Sequence, residues 1–254
     1  MNILNQLAAS AKLRSEQMEK QLPISELEKI ASKCENSMVN SLKEATLHII
    51  AEFKRASPSE GMIQENASIE EQVQQYNLME VGGISVLTEE TRFKGNLDDL
   101  NSARNLTNIP LLRKDFIVTR YQIAEARVHG ASAVLLISRI LTKSQQEKLI
   151  DYAHQWDMEV LLEIHHEDEL IIESSMVDLL GVNCRDLTNF TTDTRRFEYL
   201  KDALPDHPCM IAESGMDSVT ALQSALDLGY HGALVGTALM RNKNTFQSFS
   251  REII

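Results

Sequence analysis

The sequence predicts an α/β protein, a (β/α)8 or TIM barrel with an N-terminal helical extension, and three observations carry that prediction. Eight short apolar runs recur about every 25 residues. Polar stretches with helical periodicity separate them, and strand, helix, strand in repetition requires parallel neighbours, which need a crossover of a dozen or more residues. The length is 254 residues, and a barrel of this kind takes ~250. A single domain over 1–254 follows, because no Pro/Gly/Ser-rich linker divides the chain and 43% hydrophobic residues supply an ample core.

Residues 1–46 precede the first run and carry helical patterning. Within them LPISELEKIAS (22–32) reads as an amphipathic segment capped by Ser25, so one or two extra helices are expected to cover the barrel. The strands read HIIAEFK (48–54), ISVLTEE (84–90), IPLLRKD (109–115), AVLLIS (133–138), EVLLEIH (159–165), LLGVNCR (179–185), CMIAES (209–214) and GALVG (232–236). They are almost continuously apolar, as strands covered on both faces are. Gly82-Gly83 reads as a helix-to-strand connection at the rim opposite the strand ends. Gly130 and Gly229 close helices where a positive φ is needed. Thr142 and Gln145 have the spacing of a capping box, and Asp193 and Asp217 are placed to accept from first-turn amides of the helices that follow them. Trp156 ends a helix and is a packing residue.

The longest apolar stretches are five or six residues, far short of the ~20 that span a bilayer. The N-terminus lacks a basic-then-apolar signal pattern, so a cytoplasmic protein is expected. Cys34, Cys184 and Cys209 are widely spaced with no C-x-x-C, which fits a reducing compartment. The net charge of −12 argues against nucleic acid as a partner. Against that acidic background Lys54, Arg55, Arg113, Lys114 and Arg185 gather at strand ends, a locally positive mouth suited to a small anionic ligand.

Lys54, Lys114, Glu163, Asn183 and Glu213 each stand at or just past the end of a run, the rim where such barrels build their active sites. Strand side chains alternate, so Glu52 and Lys54 share a face, as do Leu112 and Lys114, Leu161 and Glu163, and Asn183 and Arg185. If that face is the inward one, two lysines and three carboxylates converge on one cavity. Carboxylates then keep the lysines charged while burial moves pKa values toward the working range, as acid and base work requires. Any one of these residues alone reads as a structural ion pair or a solvated rim charge; the shared register is the argument. Ser214-Gly215, and Gly236-Thr237 before ALMRN, put small residues and backbone amides at helix starts after the last two strands, a place for phosphate. His165-His166-x-Asp168-Glu169 is not read as a metal cluster: adjacent histidines diverge from a strand end, and the acids suit the first turn of a helix. No metal is expected.

IIAEFKRASPSEG (49–61) strongly resembles the first-strand signature of indole-3-glycerol phosphate synthase, and ISVLTEETRFKGNLDDL, PLLRKDFIVTRYQIAEARVHGASAVLLI, EVLLEIHHEDEL, GVNCRDL, IAESG and LVGTALM look like the rest in order. The likeness covers residues 48 to 241. It implies a single-domain barrel enzyme of tryptophan biosynthesis, monomeric as is common in the family, with no cofactor. Its substrate would be 1-(2-carboxyphenylamino)-1-deoxyribulose 5-phosphate, which closes a ring and loses carbon dioxide and water. Position by position, Lys114 resembles the acid that protonates the substrate carbonyl. Glu163 resembles the residue of proton transfer in the dehydration, and Lys54 the lysine that pairs with the substrate carboxylate; which of these two is the acid in the last step stays open. Glu52 and Glu213 match the carboxylates orienting the lysines, and Asn183 with Arg185 the pair contacting substrate hydroxyls. Phe93 and Phe116 look like walls of the anthranilate pocket, and Ser57, Ser214, Gly215, Gly236 and Thr237 fall where the family holds phosphate.

The chain departs from the pattern at Cys184 for asparagine, Glu60 for lysine in the first loop, and Thr237 for serine or glutamate. By alternation Cys184 is expected to face the helices. Two alternatives remain at this level. One is another phosphosugar barrel such as phosphoribosylanthranilate isomerase, whose acid–base pair is a cysteine and an aspartate. The other is a non-catalytic barrel relative, whose mark would be loss of the lysine at 54 or 114.

Overall fold

The apolar runs form one closed, parallel sheet in a computed structural model that describes residues 3–45, 47–186, 191–207 and 209–246. Leu187, the last residue of the GVNCRDL motif, lies outside the described residues. In chain order the strands are β1 (Leu47–Phe53), a short hairpin β2 (Ala56–Ser57) and β3 (Gly61–Met62), then β4 (Val81–Leu87), β5 (Leu111–Lys114), β6 (Ala133–Ile137), β7 (Glu159–Ile164), β8 (Leu179–Asn183), β9 (Met210–Glu213) and β10 (Gly232–Val235). The barrel closes in the order β1-β10-β9-β8-β7-β6-β5-β4. The β2–β3 hairpin stands apart in the loop after β1, a feature the apolar pattern does not signal.

The helices are α1 (Ile3–Gln21), α2 (Ile24–Ile30), α3 (Met38–Glu44), α4 (Ile69–Leu78), α5 (Leu97–Leu106), α6 (Arg120–Val128), α7 (Lys143–His154), α8 (Arg196–Ala203), α9 (Val219–Asp227) and α10 (Thr237–Arg241). Three helices therefore precede β1, where one or two were expected. No α-helix joins β7 to β8: the acids after the two histidines form only a 3-10 turn, Glu167–Glu169. Leu170, Ile171 and Ile172 are consecutive there rather than three or four apart, so no apolar helical face exists. No helix among the described residues is long and apolar enough to cross a membrane.

Capping follows the sequence at Thr142–Gln145, which forms the full box, and Gly130 and Gly229 both take φ +89°. Ser25 is not a cap. Pro23, with φ −59° and ψ 146°, takes the N-cap position of α2, leaving Ser25 inside the first turn. Asp217 is likewise displaced: Ser218 keeps extended backbone and its hydroxyl accepts from the Ala221 amide. The Asp193 carboxylate accepts from the Arg195 N–H at 3.2 Å, just ahead of α8.

Two apolar layers flank the sheet. Outside it, residues such as Phe53, Val134 and Leu162 pack on the helices. Inside, Ile50, Leu112, Leu135, Leu161, Leu179 and Ile211 form a column, met at one end by Leu4, Leu7 and Ala11 of α1 and at the other by Met38 and Leu42 of α3. Gly82 and Gly83 lie within β4, not before it. The reason is α3: a Cβ on Gly82 would sit 2.8 Å from the Leu42 Cα, so the strand can run beneath this helix only without side chains.

Candidate active site

The interior column fixes which face is inward. Ile50, Leu112, Leu161, Leu179 and Ile211 belong to it, so by alternation Glu52, Lys114, Glu163, Gly181, Asn183 and Glu213 point inward on the same strands. All but Gly181 line a cavity of about 590 Å³ at the carboxyl end of the barrel. Lys114 Nζ bridges two carboxylates, donating to Glu163 Oε2 at 3.0 Å and Glu213 Oε2 at 2.8 Å. Lys54 Nζ, just past β1, donates to Glu52 Oε1 at 2.7 Å. Asn183 Oδ1 accepts from the Ser214 hydroxyl at 2.8 Å and from the Arg185 amide at 2.9 Å. The Arg185 guanidinium reaches the Ser59 hydroxyl across the mouth.

Phe93 and Phe116 line the same cavity, with ring centroids 6.3 Å apart and planes tilted by 44°. Ser57, Ser214, Gly215, Gly236 and Thr237 form the part of the lining between the first loop and the turns after β9 and β10. Ser214 and Gly215 take φ +70° and +79° there, and α10 starts at Thr237. Every site residue named from the sequence thus faces one cavity.

Burial alone would lower the Lys114 pKa, but Glu213, Glu163 and Glu52 outweigh it and hold the ammonium above its ordinary value. This is the expected balance for the lysine, whose carboxylate neighbours keep it charged. The two carboxylates split. Burial would raise Glu163, yet Lys114 and His165 together hold it below the usual range. Burial, reinforced by Glu163 and opposed by Lys114, pushes Glu213 up to about 7. One ammonium shared by two neighbouring buried carboxylates favours ionisation at one of them over the other, and Glu213 is the one pushed upward.

The positive mouth is not borne out. Arg113 follows Leu112 and therefore faces the helices, bound to Glu125 Oε2 at 2.9 Å and Asp115 Oδ2 at 3.2 Å. Arg55 is held by Asp99, at 2.5 and 2.8 Å, and lies over the Phe53 ring at 4.8 Å. That leaves Lys54, Lys114 and Arg185 in the lining, facing Glu52, Glu163 and Glu213. Cys184 is buried among the helix-facing residues, where burial pushes its thiol up to about 12. Its opposite register to Asn183 also removes it as a cysteine acid.

Other lining residues were not named from the sequence. Ile3, Leu4 and Leu7 of α1 enter the cavity; their amphipathic spacing said that they pack, not on what. Arg14 ties α1 to the strand end beside Lys114 through Asp115 at 3.3 Å. Gly181 makes room for the Glu213 carboxylate, which a Cβ there would strike. A glycine inside an otherwise apolar strand was the available signal.

Charges buried in pairs along the lining of a cavity at the carboxyl end of a barrel make this a TIM-barrel enzyme rather than a scaffold, since a scaffold gains little from buried paired charges. The family model described as indole-3-glycerol phosphate synthase matches residues 4–252. An indole-3-glycerol phosphate synthase of Bacteroides thetaiotaomicron is 35% identical over 257 residues, covering 99% of each chain. That of Aliarcobacter butzleri is 38% identical, over 91% of this chain and 87% of the relative. That of Campylobacter jejuni is 40% identical, over 82% and 81%. The chain belongs to the indole-3-glycerol phosphate synthase family, carboxy-lyases of tryptophan biosynthesis. Among solved structures, an N-acetylmannosamine-6-phosphate 2-epimerase from Clostridium perfringens aligns with TM-score 0.62 at 16% identity, over 87% of this chain and 98% of the other. A tryptophan synthase alpha-subunit from Pyrococcus furiosus aligns with TM-score 0.56 at 10% identity, over 82% and 96%. These two share the fold.

Proposed function

We propose that this cavity converts 1-(2-carboxyphenylamino)-1-deoxyribulose 5-phosphate to indole-3-glycerol phosphate, with Lys114 as the acid of ring closure. The observation that carries the reading is the Lys114 ammonium suspended between Glu163 and Glu213, at 3.0 and 2.8 Å. Held charged, it gives a proton to the substrate carbonyl oxygen as the aromatic carbon forms its bond to the carbonyl carbon. Ring closure leaves an iminium at the anilino nitrogen. The electron pair of the carbon–carboxylate bond flows into it as carbon dioxide departs, which restores the aromatic ring. Glu213, with its pKa near neutrality, can return a proton to Lys114.

Water is lost last: a hydroxyl leaves with a proton from an acid, and the neighbouring carbon gives a proton to a base. Glu163, held below the usual carboxylate range by Lys114 and His165, suits the base, which leaves Lys54, paired with Glu52, as the acid. Arg185 and Asn183 are positioned for the substrate's hydroxyls, Phe93 and Phe116 for its aromatic ring. Ser57 and the turns Ser214-Gly215 and Gly236-Thr237 are positioned for its phosphate. The enzyme is proposed to act as a monomer, without metal or cofactor.

Mixing the purified protein with this substrate should produce indole fluorescence. Lys114→Met should lose activity about 10²-fold or more while binding substrate within about tenfold, because a general acid acts chiefly in the transition state. Full turnover in that variant would refute the assignment. Inorganic phosphate should compete with substrate.

A further inference from the structure

The inward face of β7 does not end at Glu163. His165, two residues on, is 1% exposed, and its ring lies between two carboxylates. Its Nε2 is 3.6 Å from Glu163 Oε1, and its Nδ1 is 3.5 Å from Glu169 Oε2. Neither ring nitrogen has a hydrogen-bond partner among the described residues. The 3-10 turn after β7 folds Glu169 back so that its carboxylate accepts the His165 amide at 2.9 Å, while Arg139 holds the same carboxylate from the far side at 2.9 Å. The result is a row, Arg139, Glu169, His165, Glu163, Lys114, of which the proposed mechanism uses only the last two.

We propose that His165 is a positioning residue for Glu163: wedged between Glu163 and Glu169, its ring holds the Glu163 carboxylate in place as a proton acceptor. Each imidazole nitrogen faces an oxygen of one flanking carboxylate. Each oxygen of Glu163 then has its own neighbour, Oε2 facing Lys114 and Oε1 facing His165. The carboxylates' acidities agree: His165 stands after Lys114 among the charges that hold Glu163 low. Burial would raise Glu169, but the nearby His165 ring, the hydrogen bond from the His165 backbone amide and Arg139 hold it at about 2. The charged and polar groups facing the row from neighbouring elements are Lys114 on β5, Asn183 on β8, Glu213 on β9 through Lys114, and Arg139 from the turn after β6. The inference rests on the reading of Glu163 as the base.

The test is the pH dependence of kcat and KM, from about pH 3.5 to about 9, for His165→Asn and Glu169→Gln. His165→Asn should lose about tenfold in kcat near neutrality with KM within about twofold, and the acid limb of its kcat profile should move to higher pH as Glu163 loses that neighbour. Glu169→Gln should move the limb the same way by less. It carries the test alone if His165→Asn does not fold. A limb that stays in place, or a loss uniform across pH that follows a lower Tm, overturns the proposal. Glu163→Gln separates the failures. Full activity there brings down the assignment of Glu163 itself, whereas an inactive Glu163→Gln beside an unshifted His165→Asn brings down this inference only.

Discussion

Strand β7 carries a half-buried glutamate at its start and a buried one near its end, and the two do opposite things. Glu159, at the amino end of the barrel, accepts from the Ser37 hydroxyl at 2.6 Å and from the Met38 amide at 2.5 Å, so it is spent on the first turn of α3. Glu163, at the carboxyl end, meets an ammonium that projects into an open chamber. Burial outweighs the neighbours at Glu159 and raises its pKa, whereas cations outweigh burial at Glu163 and lower it. The same residue type in the same strand is thus a helix anchor where its partners are backbone and hydroxyl, and the proposed reactive group where its partners are charges beside space. Partner chemistry, not residue identity, separates the two ends.

The largest expected effect comes from exchanging charge for amide at each end. Glu163→Gln should lower kcat about 10²- to 10⁴-fold with Tm little changed. Glu159→Gln should keep kcat within a few-fold and lose about 1–3 kcal/mol of stability in denaturant titrations, because the carboxylate's buried donors lose acceptors. Equal kinetic losses in both variants would erase the distinction. Next in size is Gly82→Ala, which forces a methyl against α3 and should cost about 1–3 kcal/mol. Its kcat should match the parent's, since it disturbs only the amino end.

A smaller effect sharpens the electrostatic half of the comparison. The Glu213 pKa is raised from 4.5 to about 7 in the folded protein. Its contribution to stability is therefore fully present below about 4.5 and lost as pH rises through about 7. The Tm of the parent minus that of Glu213→Gln should accordingly fall across that window; a difference that is flat or rising would show that Lys114 keeps Glu213 ionised. The smallest effect is expected at Glu60, which pairs with Arg241 across the mouth of the first loop. Since exposed ion pairs are weak, Glu60→Lys should change KM by no more than about threefold.

The strand-end charges were the legible part of this protein. A polar residue closing an apolar run, repeated in register, is visible in the sequence, and Lys54, Lys114, Glu163, Asn183 and Glu213 all reach the chamber for that reason. Whatever depends on which element packs on which was not legible. Gly82-Gly83 looks like a turn until α3 is laid across it, and Gly181 looks like a weak strand position until the Glu213 carboxylate occupies the space. Arg113 and Lys114 are adjacent cations in the sequence, but only the inward layer of β5 tells which is structural and which faces the cavity. Helix starts were read to within a residue or so, because Ser218 is as good a cap as its neighbour Asp217.

Met38 and Leu42 stopper one end of the cylinder with hydrocarbon. Among the described residues the cavity therefore opens at the other end, where Leu4 and Leu7 lie over it and Arg14 ties α1 to the strand end through Asp115. On the proposed reaction, the products pass the same α1 side chains that the substrate meets on entry.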